Sequence, residues 1–302
     1  MQLKAAVVYE IGQLRRPVVT GYQIGLILFE LYRLKLCKGE RIAKIRKSVP
    51  TRGDYTGVVR RLVADNILIE LSGALKNREL YGVIGHELPA ANELICIVDP
   101  FCFISHASAM EYHGLTDRLP SVLYATGPLN ARTRALAEER MAHDLGLFLR
   151  QYGEAGLPIL KRPTITAVAR KALHLQKSVH YHPGAYLTVQ NRALRVSTIG
   201  RTFLDMLQQP NLCGGIYHVL SIFELHANRY LRLIIDEIDQ HGSAIDKVRC
   251  GYILEEIAKI QVPEVEKWVS YAQRGGSRRL DPQSDYAPQF SEKWCLSLNV
   301  EM

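Results

Sequence analysis

The sequence predicts an α+β fold: an N-terminal winged-helix-like arrangement of helices and a hairpin, followed by a larger mixed α/β domain. Three observations predict it. Apolar residues recur with helical period over 54–66 and then give way to strand-like runs at 67–71 and 79–84. A junction, GHELPAANE, breaks the pattern and places the boundary in 86–92, so residues 1–87 form the first domain and 88–302 the second. Charge divides at the same place. The chain carries 38 Lys and Arg against 30 Asp and Glu, net +8; residues 1–86 hold 15 basic and 7 acidic side chains, and the remaining 216 hold 23 of each. All the excess positive charge therefore lies in the first domain, where it would attract a phosphate backbone.

Within that domain, residues 1–19 predict a strand or short helix ending at Arg15-Arg16-Pro17, and 20–36 a helix apolar on more than one side. Gly25 inside that helix costs stability relative to alanine, which points to a close packing contact. A short basic helix is expected over Glu40–Lys47, stopped by Val49-Pro50. Thr51 or Asp54 can cap the next helix, Asp54–Asn66, with Gly53 loosening the turn. At about 100° per residue, Tyr55, Val58, Val59, Leu62 and Val63 fall on one side, and Gly57, Arg60, Arg61 and Ala64 on the other. Two strands follow, joined by the polar loop 72–78. This is the layout of a winged helix-turn-helix, whose second helix enters the major groove while the wing touches phosphates. Arg60 and Arg61 are then the groove-reaching residues, reading guanine or clamping phosphate. Gly57 would let the backbone come close, Arg52 and Thr56 would make contacts near the helix N-terminus, and Lys76 and Arg78 would hold the wing to the backbone. The competing reading is a helical bundle with solvated arginines; the charge split favours the DNA reader.

The rest of the chain offers no convincing catalytic constellation. Phosphate-cradling glycine motifs, H-E-x-x-H and G-x-S-x-G are missing from the sequence, so neither a cofactor nor a metal is expected. The six cysteines are scattered without a C-x-x-C pair and read as reduced thiols, mostly in cores. No signal peptide and no run of ~18–20 apolar residues is apparent, so a cytoplasmic protein away from the membrane is expected. A helix is expected at about 105–113, with His106 and His113 on one face as structural histidines. His180-x-His182, lacking a ligand partner nearby in sequence, reads as surface or packing. Helices are expected at 201–209, 215–227, about 228–240 and 245–259. The clusters Asp236-Glu237-x-Asp239 and Glu255-Glu256 read as solvated helix faces, and Arg201 with Asp205 as an i,i+4 ion pair.

Four stretches carry a family resemblance. They are ISHASAMEYHGL at 104–115 with the strand SVLYATG; RVSTIGRTFLDMLQQPNLCGGIYHVL at 195–220; DKVRCGYILEE at 246–256; and RRLDP with KWCLSLNV between 278 and 300. In this order the chain resembles the AbiEi family of antitoxins from type IV toxin–antitoxin, or abortive infection, systems. The third stretch is similar to a run usually written R-L-G-x-L-L-E, with Cys250 where leucine is common. The N-terminal domain is longer than the compact one of the family. The resemblance implies a non-enzymatic, bifunctional protein. Its N-terminal domain would bind inverted repeats in its own promoter and repress the operon. Its C-terminal domain would counteract a nucleotidyltransferase-like toxin without a tight complex. The alternatives are a DNA-targeted nuclease or nucleotide-modifying enzyme, and a ligand-sensing transcriptional regulator.

Overall fold

The computed structural model describes residues 1–71, 79–273 and 278–301. The first helix, α1 (Leu3–Gln13), ends before Arg15, whose φ of 50° turns the chain into β1 (Val18–Thr20). Thr20 then caps α2 (Gly21–Leu34): its hydroxyl accepts from the Gln23 N–H while the Gln23 side chain accepts from the Thr20 N–H. The helix stops at Lys35, which adopts left-handed backbone angles.

The basic helix expected over Glu40–Lys47 does not form. Residues 36–41 instead make a hairpin of β2 (Leu36–Cys37) and β3 (Glu40–Arg41), pairing Leu36 with Arg41 and Cys37 with Glu40. The reason lies just upstream, in Lys38-Gly39. Both residues have positive φ, 53° and 77°, the two-residue turn that matches the twist of a hairpin. Lys44 at φ 67° breaks any helical continuation.

The helix α3 (Arg52–Ala64) forms as expected, two residues earlier at its start. Thr51 is its cap and Asp54 completes the reciprocal pair of bonds. Its Tyr55, Val58, Val59 and Leu62 are buried, and Arg60, Arg61 and Ala64 are exposed. Then come β4 (Leu68–Glu70) and β5 (Leu80–Val83), which with β1 form an antiparallel sheet in the order β1-β5-β4. The chain continues through α4 (Ala91–Val98), β6 (Phe103–Ile104), α5 (His106–Tyr112), β7 (Val122–Pro128), α6 (Asn130–Leu145) and α7 (Leu149–Glu154). Beyond these lie β8 (Ala167–Val168), β9 (Lys171–Ser178), β10 (Tyr186–Thr188), β11 (Arg195–Ser197) and α8 (Ile199–Gln208). The helices expected at 215–227 and 228–240 are one continuous helix, α9 (Ile216–His241). No proline or glycine interrupts it; only a polar stretch near Asn228 and Arg229 obscures its apolar stripe. The expected 245–259 helix is α10 (Ala244–Tyr252) followed by a π-turn at Ile253–Ile257. Last come α11 (Pro263–Glu266), β12 (Phe290–Ser291) and β13 (Leu296–Ser297).

Helices and strands thus both contribute, as an α+β chain requires. Two compact units result. One comprises Met1–Cys102, Gly127–Leu173 and Lys177–Val179; the other Phe103–Thr126, His174–Gln176 and His180–Met302. The boundary expected at 87/88 falls inside the first unit, which also takes in α6, α7 and β8.

In the first unit, Ile24, Leu28, Phe29, Tyr55, Leu62 and Tyr152 share one core. Gly25 is explained by this packing. A Cβ there would collide with the Tyr152 hydroxyl, which is held by donating to the Pro158 carbonyl at 2.7 Å. The 157–163 segment is further pinned by Arg162, whose Nε donates to the buried Asp99 carboxylate at 2.7 Å.

In the second unit, β6 pairs with β7 and β11, and β11 with β10. The stretches singled out in the sequence are the framework of its core. His106 sits at φ 51° between Ser105 Oγ (2.8 Å from Nδ1) and Gln209 Oε1 (3.1 Å from Nε2), and His113 Nε2 donates to the Ser197 carbonyl at 2.7 Å. Arg201 Nε donates to Asp205 at 2.8 Å, the expected pair, with both side chains buried. Gly251 lies against the Trp294 indole, which a Cβ would overlap, and Trp294 Nε1 donates to Glu255 at 2.8 Å. The acidic clusters are therefore more than solvated faces: Glu255 takes this indole N–H, Asp239 accepts from Trp268 Nε1 at 2.6 Å, and Glu237 is half-buried.

Two predictions follow from the packing. Gly25→Ala should destabilise the protein by about 1–3 kcal/mol despite alanine's better helix propensity, because the Tyr152 hydroxyl has no room to move. Urea denaturation checks it, and an unchanged midpoint would refute the packing account. Burial holds the His106 imidazole below its ordinary value, and His113 likewise. Below about pH 6.5 the unfolded chain therefore binds protons that the folded chain refuses, so stability is complete above that pH and falls as the pH drops further. His106 alone can contribute a slope of up to about 1.4 kcal/mol per pH unit. Denaturant melts at about pH 7.5 and about pH 5.5 should show the loss, and His106→Gln should make it smaller, leaving the share that His113 contributes.

Candidate nucleic-acid interface

The candidate site is the outer face of α3. Burying Tyr55, Val58, Val59 and Leu62 fixes the rotation of the helix. The opposite arc is made of Gly53, Thr56, Gly57, Arg60, Arg61 and Ala64. Four of these six have no side chain or a small one, and Arg60 and Arg61 stand out from them. Among the described residues neither arginine has an ion-pair partner. A Cβ added at Gly57 would meet nothing within 4 Å, so the protein's own packing does not require that glycine.

The other expected contacts divide. Arg52, the first residue of α3, is already engaged: its guanidinium pairs with Glu79 at 2.8 Å and lies 5.1 Å from the Tyr55 ring centroid. It stays half-exposed, so it can share its charge with a phosphate only against the pull of Glu79. The Thr56 hydroxyl donates to the Arg52 carbonyl at 2.9 Å, and its oxygen remains on the exposed face. Lys76 and Arg78 lie outside the described residues.

Lys161 was not visible as a site residue in the sequence. It lines a cleft beside α3 together with Arg52, Thr56, Arg60, Glu70 and Glu79. Its position follows from the Tyr152–Pro158 and Arg162–Asp99 bonds on either side of it. About a hundred residues separate it from α3, so no local spacing could reveal the juxtaposition. Glu70 and Glu79 make the cleft itself unattractive to phosphate. The cationic groups that can reach an anion are those at its rim, Arg60 and Lys161, and Arg61 beyond it.

The second unit contains a Ser–His pair, Ser105 with His106, that could suggest nucleophilic chemistry. Ser105 is 0% and His106 3% exposed, and Ser105 Oγ also accepts from Thr126 Oγ1 at 2.8 Å. A substrate cannot reach it, and the pair ties β6 to β7 instead. Among the described residues no helix is long and apolar enough to cross a membrane.

No protein-family model matches the chain, and no curated protein matches it either. Among solved structures, the fold is similar to that of the RV2827C protein from Mycobacterium tuberculosis, with 13% sequence identity and a TM-score of 0.49 over 97% of this chain and 89% of that one. A likeness at that level speaks to neither activity nor partners.

Because Gly57 faces open space, Gly57→Ala should leave stability unchanged or raise it by up to about 1 kcal/mol, through helix propensity alone. A thermal or urea melt decides this, and a clear loss of stability would mean the glycine serves internal packing.

Proposed function

We propose that the chain is a DNA-binding repressor of its own operon and the antitoxin of a type IV toxin–antitoxin pair. The observation that carries the DNA reading is the exposed face of α3, with two arginines free of ion-pair partners among the described residues and neighbours too small to hold a groove at a distance. Two further facts support it. The order α1, β1, α2, α3, β4, β5, with the β2–β3 hairpin between α2 and α3, and the sheet order β1-β5-β4 support a winged-helix reading, in which α3 would be the reading helix. The net +8 charge of the chain is contributed by residues 1–86.

In this reading Arg60 and Arg61 enter the major groove, Thr56 and the backbone at Gly57 approach the groove wall, and Lys161 holds an adjacent phosphate. Lys76 and Arg78 would be the wing contacts. Inverted repeats in the chain's own promoter are the expected target, with two copies on paired half-sites. The antitoxin role rests on the four motif stretches of the second unit and their resemblance to the AbiEi family. That unit would counteract a nucleotidyltransferase-like toxin without holding it tightly, and it would do so without catalysis or a membrane, in the cytoplasm.

Fluorescence anisotropy with the chain's own upstream DNA and a scrambled duplex of equal length, over a salt series, tests the reading. The expected result is tighter binding to the upstream DNA. Arg60→Ala and Arg61→Ala should each cost about 1–3 kcal/mol where the arginine reads a base. Lys161→Ala should weaken both duplexes alike and lower the slope of log K against log salt by about 0.9. Equal binding to both duplexes that persists in the Arg60→Ala/Arg61→Ala variant would sink the proposal.

A further inference from the structure

We propose that His182, Glu237 and His241 bind one divalent transition-metal ion, with zinc the best match to their donors. The inference concerns the second unit and is independent of the DNA reading. Glu237 and His241 are four apart on the last turns of α9, so both side chains lie on one helix face. His182 comes from the turn that precedes β10. One ligand atom from each of the three lies within 4.8 Å of the others; the two imidazoles stack with centroids 4.0 Å apart at 24°, so one ring must turn for both in-plane lone pairs to meet one ion.

Two of the candidate ligand atoms are also orphans. His182 Nε2 and Glu237 Oε1 are both buried and have no hydrogen-bond partner among the described residues. Buried polar atoms are nearly always paired, so two such atoms meeting in one cluster point to a missing partner that accepts electron pairs. A hydrogen-bond donor could satisfy each singly; a cation satisfies them together. Two imidazoles and one carboxylate form the His2Glu set that zinc uses when it keeps a fourth position open. Calcium and magnesium prefer six or more oxygens and fit poorly.

The surroundings favour the same occupant. His241 is the last residue of α9, a helix of 26 residues whose carbonyl end carries partial negative charge. Arg201 also faces the cluster, but its charge is answered by Asp205 at 2.8 Å. A tetrahedral zinc with bonds of about 2.1 Å needs its ligands about 3.4 Å apart. The triangle must therefore tighten by up to about 1.4 Å, with the His241 ring turning out of its stack on His182; exposed at the helix end, His241 is placed both to move and to admit the ion.

The test uses the full-length protein stripped with a chelator and titrated with zinc against a chromophoric competitor, with cobalt as a spectroscopic stand-in. One ion per chain should bind, raise the melting temperature and give the visible absorption of a four-coordinate cobalt site. Glu237→Gln and His241→Ala, at the end of a long helix, should keep the fold by circular dichroism yet weaken binding at least about tenfold and remove the cobalt band. His143→Ala, on an exposed histidine of α6, should change nothing. Failure of the wild-type protein to bind stoichiometrically, or equal binding by wild type and both site variants, would overturn the proposal.

Discussion

The first unit depends on how α3 is seated. Four apolar side chains, Tyr55, Val58, Val59 and Leu62, go into a core shared with α2 and α7, and the Thr51–Asp54 cap fixes where the helix begins. Burying side chains of this size contributes about 1.5–3 kcal/mol each, far more than any surface ion pair on the same helix. Hydrophobic burial therefore decides the rotation of α3, and the exposed arc of Arg60 and Arg61 follows as its complement. A polar face arranged this way has no part in holding the fold, which is why its composition can serve a partner.

A second constraint keeps the neighbourhood of α3 in place. Gly25 lets Tyr152 press against α2, the Tyr152 hydroxyl holds Pro158, and Arg162 reaches the buried Asp99. Between those anchors Lys161 is delivered to the rim of the cleft. The proposed interface is thus assembled from residues whose positions are set by buried contacts on either side. In the second unit the same logic holds for the motif stretches: Gly251 and Trp294, Glu255 and Lys293, and Arg201 and Asp205 all act in packing.

Much of this was legible in the sequence because it is local. The periodicity of 54–66 separated the two faces of α3, Thr51 announced its cap, Gly25 signalled a close contact, and the four-residue spacing of Arg201 and Asp205 their ion pair. Local signals also misled. The stretch 40–47 carries helix-forming residues, but Lys38-Gly39 takes a tight hairpin turn and the helix gives way to β2 and β3. What stayed hidden depends on distance along the chain. Lys161 meets α3 from about a hundred residues away. His182 looked partnerless because Glu237 and His241 lie more than fifty residues downstream, and only the fold brings them together.

The central claim is that the outer face of α3 reads the chain's own upstream DNA. A hydroxyl-radical footprint of that DNA tests it most directly, because it reports where along the duplex the protein sits. The account expects protected patches on one side of the duplex, arranged as two inverted half-sites, that vanish when Arg60 and Arg61 are both replaced by alanine. Uniform cleavage with the wild-type protein, or a footprint that the double replacement leaves intact, would contradict it.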